Sequence, residues 1–198
     1  MQVCLAQKKD APAVAVIHKK ELPTAFLSRL GIVFLSKFYE AIISHPGSFC
    51  IVAKDENGIK GFVSGTSDIG KFYKYFVKNY GFFLALVIFP KLFRFSIAKN
   101  VFENLFYANK INGFPDAELL SIAVDKNFQK HGTGSELIGG FIYEMEKRGA
   151  KSFKVLVGKE LGVAKFYLKN NFKLLLETKL HGKDSFIFIY NPVALLKE

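Results

Sequence analysis

Apolar positions recur along this chain at two periods, and the switches between them mark its elements. Residues 3–6 predict a first strand. Asp10, with Pro12 close behind it, predicts the N-cap of a helix that turns Val14, Ile17 and Ala13 inward. A second helix is expected over residues 28–43. Residues 49–54 and 59–66 read as strands joined across Asp55-Glu56-Asn57-Gly58, a strong hairpin signal. Further on, residues 121–124 read as the end of a buried strand and residues 125–128 as a polar turn. Residues 135–147 then read as a helix with the apolar stripe Leu137, Ile138, Phe141, Ile142 and Met145. Gly149 suits a helix C-cap. Beyond it a strand is expected over residues 153–157 and a short helix over 161–170. Residues 172–180 and 185–190 predict a closing hairpin across His181-Gly182-Lys183-Asp184. Helices and strands therefore mix around one sheet.

Length and composition fit a single compact domain over residues 1–198. The chain can bury a substantial core, and 50% of its residues are apolar or aromatic. Cys4 and Cys50 are too few for a disulfide framework, and the 4 His residues show no ligand spacing, so free thiols and no metal are expected. The N-terminal segment lacks an uninterrupted apolar core followed by a small-residue cleavage site. A cytoplasmic location is expected, with peripheral contact to a membrane left open.

The most informative segment is the loop Gln129-Lys130-His131-Gly132-Thr133-Gly134, set between the buried strand and the amphipathic helix. Gly132 and Gly134 lack a Cβ, so backbone N–H groups can turn inward and approach a ligand. The helix macrodipole adds partial positive charge there. Such a loop suits phosphates. A Walker loop needs a Lys after its last Gly, and the Rossmann fingerprint needs a third Gly where Leu137 stands, so both nucleotide motifs fail. With Val124, Gln129, Gly132 and Gly134 in register, the segment resembles the acetyl-CoA motif of the GNAT acetyltransferase superfamily. In that motif a strand ends in Val, and Gln/Arg-x-x-Gly-x-Gly/Ala opens a helix. Phe166, Tyr167 and Phe172 resemble the family's second signature, Ala-x-x-Leu-Tyr-x-x-x-Gly-Phe, with Asn171 in the Gly place. Two positions depart from it: Glu160 stands where many members have Asn, and Val163 where they have Ala.

The resemblance implies a mixed α/β (α+β) fold with a central, mostly antiparallel sheet flanked by helices. It implies acetyl-CoA as acyl donor, bound along Ile122, Val124, Gln129, Lys130, His131, Gly132, Thr133, Gly134 and Ser135. A backbone N–H near residues 122–124 would stabilise the oxyanion. An amine attacking a thioester must lose a proton, and the departing thiolate benefits from a donor. Tyr167 has the right group, a phenol of pKa ~10 facing a thiol of ~8.5. It also reads as a buried aromatic with a structural partner. Glu118 stands near the start of the strand, where the family sometimes places a carboxylate that drains protons through water; a simply solvated acid is the other reading. No Ser or Cys has an evident activating triad, so direct attack in a ternary complex is expected. The acceptor is an amine, with amino sugars and glycan precursors as candidates. The alternative is a non-catalytic acyl-CoA-binding or membrane-associated regulatory module. Oligomeric state is not legible.

Residues 67–115 fall where the resemblance predicts a direct passage between strands, and they carry seven basic residues against two acidic ones, five of the chain's net +11. The segment is dense in Phe and Tyr. Its uninterrupted apolar stretch, residues 81–89, is well under the roughly 18 residues of a membrane span. A helical insertion is expected, serving as a lid or core element, or as an interfacial surface for anionic headgroups. A nucleic-acid surface is disfavoured, because no nucleic-acid module is recognisable.

Overall fold

The computed structural model describes residues 1–92, 114–180 and 182–192. Its centre is a seven-stranded sheet in the order β1-β2-β3-β4-β5-β7-β6. The strands are β1 (Gln2–Leu5), β2 (Ser48–Asp55), β3 (Gly58–Thr66), β4 (Glu118–Val124), β5 (Phe153–Gly158), β6 (Lys173–Leu180) and β7 (Lys183–Tyr190). All neighbours pair antiparallel except β4 and β5. The helices are α1 (Ala11–Glu21), α2 (Phe26–Leu30), α3 (Ile32–Ser44), α4 (Ile69–Leu92), α5 (Thr133–Lys147) and α6 (Ala164–Lys169).

The two sheet faces carry separate cores. On one, α1, α3 and α4 bury Val14, Phe34, Phe38, Tyr39, Phe72 and Phe76 over Cys50, Val52, Phe62 and Ala123. Its rings interlock edge to face, with Phe38 5.6 Å from Phe72 and 5.4 Å from Phe76. On the other face, α5 lays Leu137, Ile138, Phe141 and Met145 over Ile51, Val63, Leu119, Phe153 and Val155. That is the stripe its 3.6-residue spacing predicts, with Ile142 at its half-buried margin. Burying one such side chain contributes roughly 1.5–3 kcal/mol, so the stripe is enough to seat α5.

Four expectations need correction. The single helix over residues 28–43 is two, because Gly31 sits at φ 96° and breaks α2 from α3. A residue with a Cβ rarely adopts that conformation, and the turn redirects the chain. Ala13 faces solvent while Ala11, Val14, Ala15, Ile17 and His18 are buried. The helix over residues 161–170 begins only at Ala164, after a 3₁₀ turn, Lys159–Leu161, that closes on Gly162 at φ 63°. In the last hairpin Lys183 and Asp184 already belong to β7, and His181 lies outside the described residues. Residues 67–115 include the helix α4; residues 93–113 of that segment lie outside the described residues.

One feature of the sheet prepares a site. β4 and β5 pair in parallel at only two positions, Glu118 with Lys154 and Leu119 with Val155, and then part. From Ser121 onward β4 is held by β3 alone. Alternate backbone groups of its free edge face the gap. The crevice beyond the carboxyl ends of parallel strands is a common place for ligands.

Candidate active site

The loop that follows β4 is held by its own short polar contacts. The Asp125 carboxylate accepts from the Asn127 amide (3.0 Å), and the Phe128 amide donates to the Asp125 carbonyl (2.8 Å). The Gln129 side-chain nitrogen donates to the Val124 carbonyl at 2.8 Å, tying the loop to the strand end. Lys130 (φ 64°) and Gly132 (φ 89°) are both left-handed, and Gly132 is the N-cap of α5 without any side-chain cap. Ser135 and Glu136 donate to the Gly132 carbonyl, whereas the amides of Gly132, Thr133 and Gly134 meet no backbone carbonyl among the described residues. A helix start that leaves its amides open and carries the positive end of the macrodipole suits an anion.

The two glycines serve different needs. Space around a Cβ at Gly132 is open, so its requirement is conformational. A Cβ at Gly134 would come within 3.1 Å of the Phe166 ring, so this glycine lets α6 pack on the start of α5. Lys130 and His131 are exposed beside the open amides, Ser135 is half-buried and the Thr133 side chain is buried. Ile122 and Val124 are half-buried along β4.

Tyr167 follows Phe166 and is 4% exposed, stacked on Phe188 at 5.4 Å and edge-on to Phe172 at 5.4 Å. Burial pushes its phenol well above the usual tyrosine range. A phenol so placed keeps its proton at neutral pH and acts best as a hydrogen-bond donor.

Glu118 stands six residues before Val124, at the other end of β4, and is buried. Its Oε2 lies 3.5 Å from Lys154 Nζ yet accepts no hydrogen bond among the described residues; Lys154 Nζ donates instead to the Pro115 carbonyl. Burial raises the Glu118 pKa and Lys154 draws it back. Its carboxyl can therefore take up a proton more readily than an exposed one. The shallow groove of about 370 Å³ lined by Ser67, Asp116, Arg148 and Lys151 lies at the ends of the strands away from the loop and shares no residue with it. Among the described residues no cluster of His, Cys, Asp and Glu is arranged to hold a metal.

A further carboxylate escaped the sequence reading. Lys20, near the end of α1, bonds Asp125 at 2.6 Å and so pins that helix end to the first residue after β4. Beside it Glu21 has a side chain only 11% exposed, with Oε1 buried and without a hydrogen bond. One turn earlier His18 is buried, with Nδ1 2.5 Å from the Tyr39 hydroxyl and Nε2 unpartnered among the described residues. An acid in a last helical turn looks ordinary in sequence. Only the contact across 105 residues reveals its place.

The sequence model of the acetyltransferase (GNAT) family matches residues 17–172. The chain belongs to the GNAT family. Solved structures agree in fold over 96% of the chain. A ribosomal-protein-alanine N-acetyltransferase from Brucella melitensis matches with a TM-score of 0.62 at 15% identity and 99% coverage of its own chain. An aminoglycoside 6'-N-acetyltransferase complexed with coenzyme A gives 0.60 at 11% identity and 96% coverage. A GNAT acetyltransferase from Streptococcus pneumoniae gives 0.58 at 16% identity and 97% coverage. No curated protein matches the chain. At these identities the likeness is one of fold. As a GNAT protein the chain is a transferase whose acyl donor is acetyl-CoA. The open amides at Gly132 to Gly134 and the gap between β4 and β5 fit that donor.

Proposed function

We propose that this GNAT chain transfers an acetyl group from acetyl-CoA to a primary amine by direct attack, with no acyl-enzyme. The observation that carries the reading is the parting of β4 from β5 together with an uncapped helix start that follows β4 through one short loop. Acetyl-CoA supplies an activated thioester. The amides of Gly132, Thr133 and Gly134, with Lys130 beside them, would hold its pyrophosphate, and Gln129 keeps the loop in shape for them. An amide on the free edge of β4, within residues 122–124, would face the acyl oxygen. Tyr167 would donate a hydrogen bond to the departing sulfur. Glu118, at the start of β4, would be the final sink for the proton that the amine sheds, reached through a chain of waters.

The acceptor is open among amino sugars, glycan-linked amines and peptide amines. CoA release with glucosamine, spermidine, tyramine and an alanine-terminated peptide tests the reading. Turnover with any of them supports it; binding of acetyl-CoA without turnover on all of them favours a non-catalytic acyl-CoA-binding module. Peripheral attachment to an anionic membrane through α4 is part of the same proposal. Lys71, Lys74 and Lys78 are exposed on that helix, as are Val77, Phe82 (81%) and Leu86 (61%), while Ile69, Phe72 and Phe76 are buried. Lysines followed along one helix by exposed apolar side chains suit headgroups and the acyl boundary. Among the described residues no helix is long and apolar enough to cross a membrane.

A further inference from the structure

We infer that Glu21 is the carboxylate that receives the ammonium group of the amine acceptor. The inference rests on the acetyl-transfer reading above. Glu21 is the last residue of α1, where the macrodipole is negative, and its Oε1 is buried without a hydrogen bond. Both features favour a positive partner at that oxygen. Its nearest cation is shared. Lys20 Nζ lies 3.7 Å from Glu21 Oε1 but 2.6 Å from Asp125 Oδ2, to which it is hydrogen-bonded. A buried acid whose cation is shared in this way contributes little to folding and can accept a further cationic partner.

Its place says which partner. The Lys20–Asp125 bridge fixes Glu21 beside the carboxyl end of β4, where β4 has already parted from β5. The helix carrying Glu21 packs on one face of the sheet, whereas α5, with the open amides, packs on the other. A donor lying on the loop and an amine held by Glu21 would thus meet across the strand edge from opposite faces. The second orphan, His18 Nε2, lies one turn back on α1 and adds a polar atom to the same helix end. Glu118 is not an equivalent choice. It has Lys154 as its own cation, and six residues of strand, about 20 Å, separate it from Val124.

The test is Glu21→Gln, which removes the charge and keeps the shape, with Glu21→Asp as the conservative variant. Steady-state CoA release is measured with the four amines above, alongside calorimetric affinity for acetyl-CoA and thermal unfolding. For the amine turned over best, Glu21→Gln should raise KM by about 10- to 100-fold, the equivalent of a lost charge-assisted hydrogen bond, with kcat within about threefold. Acetyl-CoA affinity should be unchanged, Tm equal or higher, and Glu21→Asp should recover part of the loss. An unchanged KM, or a KM change accompanied by a fall in Tm and in acetyl-CoA affinity, overturns the inference. Wild-type protein that turns over none of the four amines withdraws the acetyl-transfer reading itself, and this inference with it.

Discussion

Acid should destabilise this protein through His18. Burial lowers the imidazole pKa from 6.5 to about 4, and the ring sits between the Tyr39 hydroxyl and the Phe62 face. Between those two values the unfolded chain binds a proton that the native state refuses, so stability falls as the pH drops through the window and is fully present above it. The two pKa values give a loss of about 2 kcal/mol from pH 7 to pH 5 and about 3 kcal/mol by pH 4. Against a typical total of roughly 5–15 kcal/mol this is a large fraction. Urea unfolding at pH 7, 6 and 5 should be compared for wild type and His18→Phe, which keeps a ring against Phe62 but takes no proton. The variant should start lower at pH 7, by about 1 kcal/mol for the lost Tyr39 hydrogen bond, and then lose about 2 kcal/mol less than wild type on the way to pH 5. Parallel decline of the two proteins would refute the reasoning, because it would mean that the imidazole charges in place without penalty.

Three other outcomes are expected. Gly132→Asp forces a φ of 89° on a residue with a Cβ and sets an anion before the open amides, so calorimetry should show acetyl-CoA affinity reduced by about 10²-fold or more; unchanged affinity removes the loop from the donor site. Tyr167→Phe should lower kcat by roughly 10²- to 10⁴-fold with acetyl-CoA affinity nearly intact, and a normal kcat leaves Tyr167 as a packing residue. Wild-type protein should co-sediment with anionic phosphatidylglycerol vesicles at low salt, and changing Lys71, Lys74 and Lys78 to Gln should weaken that association by about 10²-fold. Absence of sedimentation at low salt rules out the membrane contact of α4.

Where one periodicity ran uninterrupted, the elements were legible from the chain. The α5 stripe and the two hairpins lie in continuous segments whose local chemistry and tertiary role agree. Gly31 misled because the apolar spacing continues on both sides of it, and only its positive φ separates α2 from α3. Gly134 suggested close approach to a ligand, yet its contact in the fold is the Phe166 ring of α6. Tyr167 was recognisable by its motif, but its burial against Phe188 depends on a strand that comes later in the chain. Glu21 left no local signature, because its meaning depends on where Lys20 finds Asp125.

The two-residue seam between β4 and β5 also makes this a sheet in two parts, β1 to β4 and β5 to β7 with β6, joined by little backbone pairing of their own. A molecule lodged in the gap would act as a missing strand, lending hydrogen bonds to both edges. Amides of β4 that face the gap should therefore exchange with deuterium far faster than those bonded to β3, and saturating acetyl-CoA should slow them selectively. The same bridging links donor concentration to the melting temperature, so that the protein is firmest when charged with its acyl donor.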